Sequence, residues 1–155
     1  MLRGPMELRP LVQAAARAID AAFEEEVDSF FLTVHVQEAQ SEEDDDRTQL
    51  VMVHADVEAD VVVVTTDVGP YDDDIDLAEV LRLMRDSVMA RVYIGEPAAA
   101  EGDLESDEDG VEPLVVEACL PRRGLDAEVL ATAVQEVAEI ADDLEVLLYD
   151  EPLED

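Results

Sequence analysis

The chain contains no lysine. Its basic residues are Arg3, Arg9, Arg17, Arg47, Arg82, Arg85, Arg91, Arg122 and Arg123, scattered singly except for the last two. A nucleic-acid partner needs a basic footprint that neutralises phosphates, and two adjacent arginines do not make one. One cysteine, Cys119, has no partner for an internal disulfide, which fits a reducing compartment. Glycine occupies six positions, and there is no P-loop, no G-x-G-x-x-G and no C-x-x-C, so phosphate cradles and dithiol chemistry are not expected. Ser29, Ser41, Ser87 and Ser106 lie in no G-x-S-x-G context. No apolar run approaches the roughly 20 residues that cross a bilayer, and the N-terminus lacks the basic-then-apolar pattern of a secretory signal. The expectation is a cytoplasmic protein with no membrane partner, no nucleic-acid partner and no cofactor.

Carboxylates are what the chain has in excess. Aspartate and glutamate total 42, the net charge is −33, and the sequence pI is about 4.1. At physiological salt the screening length is about 8 Å, and a surface this acidic repels itself; at molar salt the length falls to about 3 Å and the same charges hold water. Acidic chains with few aromatics are sometimes disordered. Here 48% of residues are hydrophobic, and they recur with the periods of helices and strands. Lysine would add an apolar stem to such a surface, so its absence agrees with the acidity. The composition resembles that of proteins from salt-accumulating archaea.

A length of 155 residues suits a single domain, 1–155, with one core. Leu8, Leu11, Val12, Ala15, Ala16, Ile19, Ala22 and Phe23 trace a helical stripe, with Pro10 in its first turn; Glu24 to Glu26 interrupt it. The period then changes to two. Phe30, Leu32, Val34 and Val36 point one way, and Phe31, Thr33 and His35 the other. After an acidic tip at Glu42–Asp46, Val51, Val53, Ala55 and Val57 alternate. A turn near Glu58 and Ala59 leads to the β-branched run from Val61 to Thr66. These segments form an antiparallel meander. Asp76 begins a second helix carrying Leu77, Val80, Leu81, Met84 and Val88. A short strand surrounds Val92 and Ile94, a flexible acidic loop covers about 97–112, and a fifth strand runs from Leu114 to Leu120. A long last helix buries Leu130, Ala133, Val134, Val137, Ile140, Ala141 and Leu144, with Val129 on the same side. The fold class is α+β, in the order α-βββ-α-ββ-α, with an antiparallel five-stranded sheet packed by helices.

That order, together with the Leu125-Asp126 pair opening the final helix, resembles type III secretion chaperones and the related sensory-transduction-regulator family. The likeness spans roughly Met6 to Tyr149. It implies a small, often homodimeric, non-catalytic protein that binds other polypeptides.

Few residues stand out as chemistry. Asp72, Asp73 and Asp74 lack the spacing of a calcium loop and read as a solvated turn. His35 and His54 are the only histidines, and a simple hairpin register, with Phe30, Leu32, Val34 and Val36 opposite Val57, Ala55, Val53 and Val51 on the core face, places them within about 8 Å on the other face. Two imidazoles there offer an alternative, a small metal- or ligand-binding domain or enzyme, although a closed zinc site wants four ligands. Cys119, within an apolar strand, reads as a buried structural thiol. The feature that most calls for a partner is the outer sheet face. It receives Phe31, Leu50, Met52, Val61, Val63 and, with the fifth strand, Val115, an uncharged apolar strip on a chain otherwise coated in carboxylates. The leading expectation is therefore a protein-protein interaction or chaperone-like module that uses this face for self-association or for a client.

Overall fold

The computed structural model describes residues 5–27, 29–37, 47–96 and 112–149. In chain order the elements are α1 (Pro5–Ala18), β1 (Ala22–Glu25), β2 (Phe30–Gln37), β3 (Arg47–Asp56) and β4 (Val61–Pro70). They continue with α2 (Leu77–Leu83), a 3-10 turn (Met84–Asp86), β5 (Arg91–Ile94), β6 (Pro113–Pro121) and α3 (Ala127–Leu148). The architecture is α+β, an open antiparallel sheet in the order β1-β2-β3-β4-β6-β5. Residues 38–46 and 97–111, which include the acidic tip and nearly all of the expected acidic loop, lie outside the described residues.

The sheet has six strands, not five. The helical stripe ends at Ala18, where Asp20 takes a left-handed φ of 57° and the Ala21 N–H donates back to the Ala16 carbonyl at 2.9 Å. Ala22 and Phe23 thereby leave the helix for β1, and Phe23 stacks on Phe30 with ring centroids 5.7 Å apart. Glutamates are poor strand formers. Cross-strand pairing (Phe23 with Leu32, Glu24 with Phe31) overrides that preference at a short outer strand, where charge also discourages further pairing.

One sheet face carries the core. Phe30, Leu32 and Val34 of β2, Val51 and Val53 of β3, Val62 and Val64 of β4, and Leu114, Val116 and Ala118 of β6 are all buried. Against them lie Leu8, Val12 and Ala15 of α1 and Leu130, Ala133, Val134, Val137, Ala141 and Leu144 of α3. α3 runs across β2, β3, β4 and β6 and packs on α1, so both long helices occupy the same side of the sheet. Asp126 caps α3 by accepting the Val129 N–H at 2.9 Å, and Gly124, at a φ of +78°, makes the turn that brings β6 into it. At the far end of α3 the Tyr149 hydroxyl donates to the Pro70 carbonyl at 2.7 Å. Gly69 leaves room for that ring, because a Cβ would sit 2.9 Å from it.

α2 is shorter than its apolar pattern implied. Seven residues of α-helix give way to the 3-10 turn at Met84, which breaks the 3.6-residue period. Val80 alone is buried, whereas Leu81 and Val88 are 67% and 84% exposed.

The sheet is also split along part of its length. β2 and β3 stay paired from Phe30–Val53 to Gln37–Arg47, and β4 stays with β6 from Val61–Pro121 to Pro70–Pro113. The β3–β4 ladder, however, runs only from Asp56–Val61 to Met52–Thr65. Beyond it the two strands diverge, and the Thr66 hydroxyl bridges them by donating to the Leu50 carbonyl at 2.7 Å.

Candidate functional site

The face opposite the helices is built by alternation. Its cross-strand rows run Glu24–Phe31–Met52–Thr65–Glu117–Arg91, then His54–Val63–Cys119, and Asp56–Val61–Pro121. Thr33–Leu50 and Asp67–Val115–Tyr93 add two more rows on either side of the split. Phe31, Leu50, Met52, Val61 and Val63 therefore share one face, as their parity implied, with Val115 beside them. Their exposure differs widely. Leu50 is 56% exposed, Phe31, Met52 and Val61 are half-buried, and Val63 and Val115 are buried, at only 8% and 6% exposed. α3 does not cover this face, because it lies on the other side of the sheet.

Where β3 and β4 diverge, the face opens into a cleft of about 500 Å³. Phe31, Leu50, Met52 and Thr65 line it from the sheet surface, Gln49 and Thr66 lie deeper, and Glu145 of α3 borders it.

The β5–β6 end of the same face is polar. Glu117, itself buried, accepts from Arg91 Nη2 at 2.6 Å, from the Tyr93 hydroxyl at 3.0 Å and from Cys119 Sγ at 3.6 Å. Arg91 also lies over the Tyr93 ring, 5.3 Å from its centroid. Burial and the bond to Glu117 push the Tyr93 hydroxyl up to about 12. Partial burial and the Glu117 charge raise the Cys119 thiol. Both groups thus remain protonated near neutral pH, and neither is an activated nucleophile. Cys119 is exposed on the open face, not buried as its apolar surroundings implied; its parity on β6 places it opposite Val63, outside the core.

The histidines are separated. Phe30 pairs with Val53, not with Val57, so the β2–β3 register is shifted by four residues from the simple hairpin. His35 faces Thr48, six residues along β3 from His54, which at about 3.4 Å per residue puts the imidazoles roughly 20 Å apart. Val57, expected on the core face, lies in the turn after β3 and is 65% exposed. Among the described residues no group of three or more His, Cys, Asp or Glu side chains is placed to hold a metal ion. In the run Asp72–Asp74, the Asp72 carboxylate accepts the Asp74 N–H at 2.8 Å, a local turn bond.

Arg122 and Arg123 do not form a basic patch. Arg122 is buried and Arg123 exposed. No helix among the described residues is long and apolar enough to cross a membrane.

No family model, curated protein or solved structure matches this chain.

Proposed function

We propose that this protein is a non-catalytic, protein-binding module of a salt-loaded cytoplasm that self-associates through the open face of its sheet. The observation that carries this reading is a contrast of charge. On a chain with 42 acidic residues, the described carboxylates of that face are Glu24, Asp56, Asp67 and the Arg91-paired Glu117, while its middle is Phe31, Leu50, Met52, Val61 and threonine. Concentrated salt screens ion pairs between surfaces but does not weaken the burial of apolar groups, so an interface suited to that medium is apolar. A second copy presents the same uncharged face at the same concentration, and a two-fold pairing satisfies both at once. The element order also resembles that of the type III secretion chaperones, small dimeric proteins that bind polypeptides, with β1 as an addition to it. A metal- or ligand-dependent enzyme on a His35/His54 face loses its geometric basis, since those side chains stand at opposite ends of one ladder.

Leu50 and Met52 are the residues to change, because Val63 is too enclosed to replace without disturbing the sheet. Leu50→Glu with Met52→Glu is expected to weaken self-association by about 2–4 kcal/mol while leaving the thermal melt close to wild type. Sedimentation in molar KCl reads the result. A wild-type protein that sediments as a monomer, or a folded variant that associates as before, overturns the assignment.

A further inference from the structure

Gln49 is a buried amide that no described residue satisfies. It stands opposite Val34 in the β2–β3 ladder, so its side chain points to the helix side of the sheet, and the residue is 6% exposed. Its amide makes no side-chain hydrogen bond among the described residues. The described side-chain atoms that are both unbonded and shut away from solvent belong to His54 and Arg122. The Gln49 amide is therefore unbonded but still accessible, and the space that the residue lines is the cleft between β3 and β4. A buried amide without partners is costly, and this one keeps its bonding capacity where an incoming group reaches it.

The cleft reaches down between the strands, because the β3–β4 ladder ends at Met52–Thr65. Gln49 and Thr66 from the helix-side parity of their strands, with Glu145 of α3, form its floor; Phe31, Leu50 and Met52 form an apolar wall nearer the mouth, where Asp67 also stands. Its volume of about 500 Å³ falls within the range of small-molecule sites, about 300–1,000 Å³. No basic side chain lines it. Asp67 and Glu145 have no basic partner among the described residues. Turning the Gln49 amide by 180° exchanges its oxygen and nitrogen, so it offers an acceptor as readily as a donor. Acceptors without a cation, beside an aromatic and a thioether wall, select a ligand with a donor-rich positive head and an apolar body.

We propose that this cleft binds a small organic cation, a primary ammonium on an aromatic or branched aliphatic body, with its head at Gln49 and Glu145 and its body against Phe31, Leu50 and Met52. An ammonium brings three donors and no acceptor, which is what the floor lacks. An anion of the same shape would meet two carboxylates and no counter-charge. A neutral alcohol would leave the Glu145 charge unanswered. A potassium ion would meet the charge and leave the apolar wall unfilled. The mouth of the cleft is shared with the proposed association face, but Gln49 and Glu145 lie below it, so binding and self-association are measured separately and either can fail without the other.

The test uses the full chain in molar KCl, at a dilution where sedimentation shows the monomer, with 2-phenylethylammonium as the probe. Ethylammonium, 2-phenylethanol and 3-phenylpropionate are the comparators. The chain has no asparagine and only the glutamines Gln13, Gln37, Gln40, Gln49 and Gln135, so the side-chain amide region of a ¹⁵N spectrum is sparse and the Gln49 pair is assigned through its own backbone. The probe is expected to move the Gln49 pair saturably, with each comparator at least tenfold weaker. Glu145→Gln is expected to bind the probe at least tenfold more weakly, and Gln49→Met several-fold more weakly while melting no lower than wild type, since the amide it removes has no partner to lose. Glu139→Gln makes the same charge change on α3 outside the cleft and is expected to leave the affinity unchanged. The proposal is overturned if the Gln49 pair stays unmoved, if 2-phenylethanol binds as well as the ammonium, or if Glu145→Gln retains the wild-type affinity. Equal weakening by Glu139→Gln and Glu145→Gln overturns it in favour of general attraction to an acidic surface. A Gln49 signal that follows potassium at fixed ionic strength and ignores the amine overturns it in favour of a metal cation. Should Gln49→Met not fold, the wild-type titration and the two glutamate variants decide the question.

Discussion

Glu136 on α3 holds the segment between α2 and β5 in place. Its Oε2 accepts from the Ser87 hydroxyl at 2.9 Å and from the N–H groups of Val88, Met89 and Ala90 at 3.2, 2.7 and 2.8 Å. Successive N–H groups converging on one oxygen form an anion nest, here filled by the protein's own side chain. Burial alone would raise the carboxyl's pKa. The bonds from Met89, Ala90, Ser87 and Val88 outweigh it, and the net pKa lies below the ordinary glutamate value. The sign follows. A depressed folded-state pKa contributes stability that is present above the unfolded value, about 4.3, and is lost as the pH falls through the folded one. Glu136→Gln keeps an acceptor oxygen but removes the charge, and is expected to cost about 1–2 kcal/mol at neutral pH. Thermal melts of the two proteins in molar KCl, followed from pH 7 toward pH 3, should show the gap closing below the ordinary glutamate value. A gap that persists there would mean that packing, not charge, accounts for the loss. Nothing in the sequence marks this residue, since it is one glutamate among several on the exposed side of a long amphipathic helix. The nest exists only once the 87–90 segment is laid against α3.

Among the elements, β3 and β4 are two long strands joined along only part of their length. The backbone ladder stops at Met52–Thr65, and the Thr66 hydroxyl bond to the Leu50 carbonyl is the described link beyond it. Thr66→Val keeps the shape and removes the donor. It is expected to cost about 1 kcal/mol and to speed amide exchange in the 48–51 and 66–68 stretches more than in the 53–55 stretch. Thr66→Ser restores the donor and should recover most of the difference. Uniform exchange in the valine variant would show that the cleft walls are held by packing instead.

The faces of this sheet were legible in the sequence because a strand's period of two is enforced by burial. Phe30, Leu32 and Val34 against Phe31, Thr33 and His35 admit one assignment once the core must be apolar. Register was not legible in the same way. Sliding β3 by four residues preserves every alternation, so only the fold decided between Val57 and Val53 as the partner of Phe30. That slip is why His35 and His54 seemed adjacent. β1 was hidden for a different reason, since its glutamates carry a helix-leaning preference that pairing with β2 overrides. Glu117, with Arg91, Tyr93 and Cys119 around it, was recoverable in part, because a carboxylate inside an apolar strand needs a partner and Arg91 begins the neighbouring strand. The burial of Arg122 had no sequence signature at all.

At the scale of the whole molecule, the dominant force outside the core is self-repulsion. The net charge of −33 is spread over a surface of about 10,000 Å², and the ion pairs described, Arg9–Glu25, Arg82–Glu79 and Arg91–Glu117, engage only a few carboxylates. Exposed pairs such as the first two contribute about 0–1 kcal/mol each, too little to offset the repulsion of the remaining acids. The net stability of a domain this size is only about 5–15 kcal/mol. We therefore expect the sheet and helices to depend on screening. At molar salt each charge is felt over about 3 Å; at 0.1 M it is felt over about 10 Å, which takes in several neighbouring carboxylates at once. We expect the melting temperature to fall steadily as KCl is lowered, and the far-ultraviolet circular dichroism to lose its helical signal near 0.1 M at neutral pH. If screening is the cause, sodium and potassium chloride at equal ionic strength should act alike. Modest acidification at low salt, above the pI near 4.1, should restore structure by protonating surface carboxylates. A cooperative melt retained in full at 0.1 M salt would show that the core alone carries the fold. Rescue by potassium but not sodium would replace general screening with a specific cation effect. Either result would also weaken the case for an apolar association face, because that case assumes a medium in which charge is already screened.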